Sequence, residues 1–417
     1  MPRKHIAVRI SVISINYAPE RTGIGVYTAG MAESLAARGH EVVVHSGFTY
    51  YPEWEKPSGD RGRLYRRESI KGVDLRRSYL YVPRRPTALK RIIHEFSFVL
   101  TASITYLLAP RADRTIIVLP PLALGFAIAL IARLKGSPTI LHVQDLQPDA
   151  AVELGMLKPG LLTRLLYMLE RLNYRLADRI STISEGMRRK ILGKGVPTEK
   201  TILFRNWAND DTVRPGDRLT PLRAEWGLTA DDFVVLYSGN LGRKQGLDSL
   251  LDAAALLRDR PALKFVIVGN GAEQPDLVAK AGAMGLSNVM FQPLQPIERL
   301  SELLATADVS VIPQKRAVTD IVLPSKLCNI LASARPVVAA APPTSDLAMI
   351  LREGDCGILV EPEDATQMAD GIRALAMDRA RATAFGQNGR RYAEENLLQG
   401  AVISGFEDYL RKSVPKA

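Results

Sequence analysis

Short apolar, β-branched runs alternate along this chain with longer stretches whose hydrophobic residues recur every three or four positions. In the first half the strand-like runs are Ala7–Ile15, Glu41–His45, Leu75–Val82, Thr115–Leu119, Thr139–Val143, Arg179–Ile183 and Thr201–Phe204. Helical patterns such as Gly25–Arg38 and Leu161–Leu176 lie between them. Alternation of this kind predicts parallel sheets covered by helices on both faces.

The rhythm breaks at Asn206–Pro221, rich in Asn, Asp, Pro and Gly, which reads as a linker. It then restarts with strands at Phe233–Tyr237, Leu263–Val268, Asn288–Phe291, Val309–Ile312, Val337–Ala340 and Gly357–Val360. Asp364–Asn396 reads as helix with breaks, and Leu397–Lys412 as one more helix. The expected class is α/β: a Rossmann-like domain over residues 1–205, a linker over 206–221, and a second Rossmann-like domain over 222–396. A C-terminal helix in 397–417 is free to cross back to the first domain. Two such domains are expected to face a central cleft, with ligands beyond the carboxyl ends of the strands.

Composition adds a class. Of 417 residues, 47% are hydrophobic and 24% charged, which excludes disordered, collagen-like and mainly membrane-embedded chains. Cys328 and Cys356 are the two cysteines, too few for a disulfide framework, and the five histidines show no HxxH or HExxH spacing, so no protein-held metal is expected. The N-terminal stretch enters a strand pattern with no signal-peptide h-region, and a reducing cytoplasm fits. Thr115–Ala132 carries no charge, but Pro120-Pro121 divides it into a buried strand and a helix near Leu122–Leu134.

Charge changes the picture more. The net +11 is +15 over residues 1–205 and −4 over 206–417. Lys56–Arg91 alone holds twelve basic and three acidic residues, with Tyr65, Tyr79 and Tyr81 interleaved and Tyr50, Tyr51 and Trp54 just before. Such a surface suits anionic lipid headgroups or a polyphosphate, or is a solvated face kept for solubility. No nucleic-acid module accompanies it, so nucleic acid is not expected. Leu89–Ala109 is suited either to rest on a membrane surface or to cover a sheet.

Three glycine- or proline-marked turns carry candidate chemistry. Gly23 and Gly25 follow the first strand and open a helix, too far along for a dinucleotide fingerprint; they form either a connecting loop or a close approach to a ligand. Gly239, Asn240, Gly242, Arg243, Lys244 and Gln245 follow the strand Phe233–Tyr237, where backbone N–H groups and two cations suit an anion. Pro324-Ser325 marks a helix start and sets Lys326 in the first turn, where a cation opposes the helix dipole unless an anion binds. Asn329, three residues on, shares its face. Gln144 and Asp145 end a first-domain strand; Asp145 either meets an acceptor hydroxyl or caps the following segment.

With these motifs the chain resembles glycosyltransferase family 4 over nearly its whole length. The resemblance rests on Ala177–Asn206, Val235–Ala254, Phe265–Leu277, Ala305–Pro313 and Pro324–Ala339. NYAPERTGIG, YYPEW, HVQD and QKRAVTDIVLPSKL are similar to the colanic-acid-type exopolysaccharide branch, in which some members are assigned as fucosyltransferases. The resemblance implies the GT-B fold, a nucleotide-diphosphate sugar held mainly by the C-terminal domain, no required metal or cofactor, and retention of anomeric configuration. It makes Asp145, Lys326 and Arg243 the candidate catalytic residues. Gly239, Asn240, Gly242, Lys244, Gln245, Asp320, Ser325 and Asn329 are the candidate donor contacts, and Gly23, Gly25 and Gln144 the acceptor side. The sequence departs from the family where Asn240 and Gln245 replace Arg and Lys. Its E-x7-E pair falls near Ile321 and Asn329, with Asp320 one position off, and its usual histidine maps to Gln144.

The expected activity is transfer of a sugar, GDP-fucose being the resemblance-based guess for the donor, to a polyprenyl-diphosphate-linked saccharide. The basic first domain would dock on the anionic cytoplasmic face of the cell membrane. A sugar-nucleotide epimerase of similar fold and a catalytically silent basic scaffold are the alternatives.

Overall fold

A computed structural model describes residues 7–20, 23–51, 53–153, 157–158, 160–316 and 325–412. The chain divides into two compact units, Met1–Arg205 with Ile403–Ala417, and Asn206–Val402.

Unit 1 runs β1 (Arg9–Ser14), α1 (Ile24–Ala37), β2 (Glu41–Gly47), β3 (Tyr65–Ile70), β4 (Val73–Ser78), α2 (Ala88–Leu108), β5 (Arg114–Leu119) and α3 (Leu122–Leu134). It continues with β6 (Thr139–Val143), α4 (Gln147–Glu153), α5 (Leu161–Leu176), β7 (Arg179–Thr182), α6 (Glu185–Gly193) and β8 (Thr201–Leu203). The sheet order is β3-β4-β2-β1-β5-β6-β7-β8, parallel except for β3 against β4. Strands β5 and β6 are buried along their whole length, as expected where helices cover both faces of a parallel sheet. The uncharged Thr115–Ala132 is the end of β5 and most of α3, and no described helix is long and apolar enough to cross a membrane.

Part of the basic stretch is ion-paired, some of it to carboxylates outside the stretch. It forms the hairpin β3–β4, turned at Lys71-Gly72 with φ of 47° and 81°. Arg61 pairs with Glu55, Arg66 with Asp60 and Glu68, Arg67 and Arg76 with Asp74, Lys71 with Glu33, and the buried Arg77 with Glu68. Six of its twelve cations therefore already face a carboxylate.

Unit 2 contains α7 (Pro221–Glu225), β9 (Phe233–Ser238), α8 (Leu247–Leu256), β10 (Leu263–Val268), α9 (Gln274–Ala283), β11 (Val289–Gln292), α10 (Leu300–Ala305) and β12 (Val309–Ile312). Then follow α11 (Ser325–Ala332), β13 (Val337–Ala340), α12 (Asp346–Gly354), β14 (Gly357–Val360), α13 (Ala365–Met377), α14 (Arg379–Asn396) and α15 (Gln399–Lys412). Its sheet is all parallel, ordered β11-β10-β9-β12-β13-β14. Residues 206–221, expected as a linker, pack on this unit. Ala208 bridges to Leu398, Val213 is fully buried, and Arg218 joins Arg223 on Asp308. The buried Arg223 guanidinium, beside the partly exposed Arg218, needs that shared carboxylate.

Helix α15 starts in unit 2, and from Ile403 onward it belongs to unit 1. There Phe406 stacks on Phe204 at 4.1 Å between ring centres. Glu407 accepts hydrogen bonds from Arg38 at 2.8 Å and Arg411 at 2.5 Å, and lies 3.0 Å from the ring of His40.

Candidate functional site

In each sheet the strand order reverses once, between β1 and β5 in unit 1 and between β9 and β12 in unit 2. Chain connections leave these points in opposite directions, opening a crevice at the carboxyl ends of the strands. Both units have a cavity at that point.

In unit 2 the cavity is small, about 80 Å³, and is lined by Ser238 of β9, Ser310 and Val311 of β12, and Lys326 and Asn329 of α11. Two glycine turns build its rim. Gly239 N–H donates to Val268 O and Leu241 N–H to Asn270 O, both at 2.9 Å, so the turn after β9 is hydrogen-bonded to the turn after β10. Gly239 and Gly269 have φ of 144° and 148°, where side chains are strained. A Cβ on Gly269 would run into the carbonyl of Gly239.

Lys326 occupies the space that Gly239 leaves open; a Cβ there would stand 2.8 Å from Nζ. The ammonium donates to Tyr237 Oη at 2.6 Å and Gln245 Oε1 at 2.9 Å, and lies 4.2 Å from the centre of the Tyr237 ring. Tyr237 in turn donates to Asn240 O at 2.7 Å. Burial lowers the Lys326 pKa to about 8 and raises that of Tyr237 well above its ordinary value. Among the described residues no carboxylate pairs with Lys326. A cation in the first turn of a helix, beside glycine backbone and with no carboxylate partner among the described residues, is chemically suited to an anion.

Of the predicted donor contacts, Gly239, Asn240, Gly242, Gln245 and Asn329 thus gather, with the candidate catalytic Lys326, around one turn and one helix start. Gln245, the departure from the family's Lys, is the acceptor that holds Lys326. Arg243 is exposed, with no side-chain hydrogen bond or ion pair among the described residues. Ser325 opens α11, Lys244 lies in the same turn as Arg243, and Asp320 lies outside the described residues. Tyr237 was not foreseen, because an aromatic inside a buried strand reads as core.

In unit 1 a cavity of about 270 Å³ is lined by Asn16 after β1, Gly23 and Ile24 at the start of α1, Tyr50, Tyr51 and Trp54 after β2, Arg91, His94 and Glu95 of α2, and Pro120 and Pro121 after β5. Its rings pack edge to face, Tyr50 on Trp54 at 5.4 Å and on His94 at 4.4 Å, with Arg91 over Trp54. Glu20 fixes one wall: it accepts from Asn16 Nδ2 at 2.8 Å and from the backbone N–H groups of Tyr50 and Tyr51 at 3.4 Å. Burial raises the pKa of both Glu20 and Glu95, outweighing their hydrogen bonds. Gly25 is tight against Glu20, whose Oε2 would lie 3.0 Å from a Cβ there. Aromatic faces with the Glu95 carboxyl and Arg91 suit a sugar ring, apolar on its faces and polar at its edge.

Gln144 and Asp145 follow β6. Gln144 is buried, its Nε2 2.9 Å from Nε2 of His142, whose Nδ1 lies 2.9 Å from Ser181 Oγ. Burial lowers the His142 pKa to about 3, so that imidazole stays neutral. Asp145 is half-buried in the turn that follows. Of the acceptor-side candidates, Gly23 lines the aromatic cavity, Gly25 supports it, and Gln144 turns into the sheet. The aromatic cluster Tyr50-Tyr51-x-x-Trp54 was visible in the sequence, as an accompaniment to charge and as part of the resemblance, but not as the wall of a cavity. Among the described residues no group of three His, Cys, Asp or Glu could hold a metal ion.

Residues 22–207 match the family model described as glycosyl transferase 4-like domain, and residues 220–392 that of glycosyl transferases group 1. The chain is 39% identical over 415 residues to the putative colanic acid biosynthesis glycosyl transferase WcaI of Escherichia coli, covering 97% of this chain and all of that protein. Among solved structures it resembles sucrose-phosphate synthase from Thermosynechococcus elongatus, with a TM-score of 0.73, 20% identity, and 97% and 98% of the two chains covered. It also resembles Anabaena HepE in complex with UDP and glucose, with a TM-score of 0.69, 15% identity, and 97% and 99% covered. The fold common to these chains is GT-B.

Proposed function

We propose, because the chain belongs to glycosyltransferase family 4, that it moves a sugar from a nucleotide-diphosphate donor to a saccharide built up as exopolysaccharide. The observation that carries this reading is the Lys326 ammonium, placed at the strand-order reversal of unit 2 and lacking a carboxylate among the described residues. A diphosphate supplies the missing charge. HepE, of like fold, has been seen with UDP and glucose.

In the reaction the bond between the sugar's anomeric carbon and the diphosphate oxygen breaks, and the leaving group gains charge. The turn Gly239–Gly246, the start of α11 and Lys326 stabilise that charge, with Arg243 and Lys244 alongside, and no metal or cofactor is called on. The acceptor hydroxyl forms the new bond on the face the leaving group vacates, so configuration is retained. Its proton passes to the departing phosphate oxygen. Asp145 orients the acceptor, and the aromatic cavity of unit 1 holds its sugar rings. The likeness to a protein named for colanic acid biosynthesis supports an exopolysaccharide product; within this reading the donor is GDP-fucose and the acceptor a polyprenyl-diphosphate-linked saccharide at the cytoplasmic face of the membrane.

Thermal-shift measurement against a panel of nucleotide sugars tests the donor, because a ligand that binds only the folded state raises its melting temperature. The expected result is a shift with one nucleotide class that Lys326→Ala abolishes, with turnover lower by roughly 100- to 1,000-fold. A variant with unchanged shift and turnover refutes the phosphate role. Isomerised donor formed without acceptor would instead identify an epimerase.

A further inference from the structure

Helices α2, α3 and α5 lie side by side over one face of the unit 1 sheet, their inner sides closing a single core through Phe98, Ile128 and Tyr174. Their outer sides are unusual for a surface. On α2, Leu89, Ile92, Phe96, Leu100, Ile104 and Leu108 are all more than half exposed, and they follow one another at helical spacing along one face. Apart from Lys90 and Arg91, every exposed residue described on this helix is a large hydrophobic. Helix α3 adds Phe126, Leu130 and Leu134, and α5 adds Leu161, Leu165 and Met168. An apolar area spread over three adjacent helices exceeds what soluble monomers ordinarily leave open.

The charges around it have one sign. Lys90 and Arg91 stand at the start of α2, Arg133 near the end of α3, and Arg164, Arg171 and Arg175 along α5, where they line a groove of about 560 Å³. No carboxylate is exposed on the described residues of the three helices. Glu170 is buried against Lys194, and Glu95 lines the aromatic cavity.

We infer that the outer face of α2, α3 and α5 is a docking surface for an anionic lipid bilayer, lying in the interface without spanning it. The apolar side chains enter the acyl boundary, and the arginines and lysines meet lipid phosphates. This locates docking on helices, not on the ion-paired β3–β4 hairpin. A second copy of the chain fits less well: a two-fold contact through this face would set arginine against arginine with no carboxylate between them. The placement also serves the acceptor. Helix α2 offers Phe96 and Leu100 outward, while its first turns supply Arg91, His94 and Glu95 to the cavity, so a lipid-held saccharide is received beside the bilayer. The inference rests on the transferase reading for that purpose only, since the surface is defined without it.

The test is co-sedimentation of the full chain with vesicles of phosphatidylethanolamine and phosphatidylglycerol, and with phosphatidylcholine alone. Wild type is expected to pellet with the anionic vesicles. The double variant Phe96→Glu/Leu100→Glu should lose at least about tenfold in vesicle affinity. Arg164→Glu/Arg171→Glu should lose roughly fivefold per cation removed. All these positions are exposed, so the melting temperature and the nucleotide-induced shift should stay at wild-type values. Vesicle binding without any nucleotide shift would defeat the transferase reading and leave this inference standing. Wild type that ignores anionic vesicles, or variants that bind them as well as wild type, overturns it. So does self-association in sedimentation velocity that Phe96→Glu/Leu100→Glu abolishes in a chain that binds no vesicle.

Discussion

Lys326 joins two opposing demands in one side chain. An unfolded chain keeps a lysine protonated to about its ordinary 10.5, and burial beside Tyr237 lowers that to about 8. Between those values the unfolded state binds the extra proton, so this residue's contribution makes the ligand-free protein more stable as pH rises through the window. Ligand binding runs the other way. A diphosphate needs the ammonium, so above pH 8 it must bring a proton with it. Nucleotide affinity is therefore expected to fall by up to about tenfold per pH unit above 8. Isothermal titration from pH 7 to 9.5 reads this directly, and Lys326→Arg, which does not titrate there, should flatten the profile. The type and position of this residue were legible in the sequence, since Pro324-Ser325 announces a helix start. Its partners were not, because Tyr237 and Gln245 meet it only through the folding of three separate segments.

Elements fared according to how much of their pattern is local. Leu161–Leu176, Leu263–Val268 and Val309–Ile312 match the helix α5 and the strands β10 and β12 residue for residue, because an apolar run ended by a turn or a change of periodicity has one solution. Strand β3 escaped detection. Tyr65–Ile70 carries two arginines and a glutamate, and its strand form depends on pairing with β4, where Arg77 reaches Glu68 at 2.5 Å. Residues 206–221 looked like a linker because polar and proline residues dominate. Their anchoring depends on Asp308, about a hundred positions away in sequence and invisible to any local window. The interlocked glycine turns make a prediction at this scale. Gly269→Ala meets both a left-handed backbone and the Gly239 carbonyl, and should lower stability by at least about 1–3 kcal/mol in urea unfolding. The displaced Gly239 turn should weaken nucleotide binding as well.

At the scale of the whole molecule, the two sheets follow the same strand logic, and that much was readable from repeating periodicity. The return of the last helix to the first unit was readable only as an option. Glu407 on α15 shows what the return contributes. Burial alone would raise its pKa, but the hydrogen bonds from Arg38, Arg411 and His40 outweigh this and hold it at about 2, against an ordinary 4.5. A depressed carboxyl stabilises the fold above its unfolded pKa, and that contribution is lost as pH falls from about 4.5 to 2. Glu407→Gln should therefore lower the melting temperature at pH 7, and the deficit relative to wild type should shrink as pH falls through that window. Differential scanning calorimetry at stepped pH checks it; an equal deficit at pH 7 and pH 2.5 contradicts it.

Unit 1 is built mainly from residues 1–205, yet Phe406 and Glu407, which complete it, are synthesised only after unit 2. During translation Phe204, Arg38 and His40 have no α15 to meet until unit 2 has been made. A nascent first half must wait, unfinished, through production of the entire second. Termination between residues 205 and 403 therefore leaves the first unit without Phe406 and Glu407.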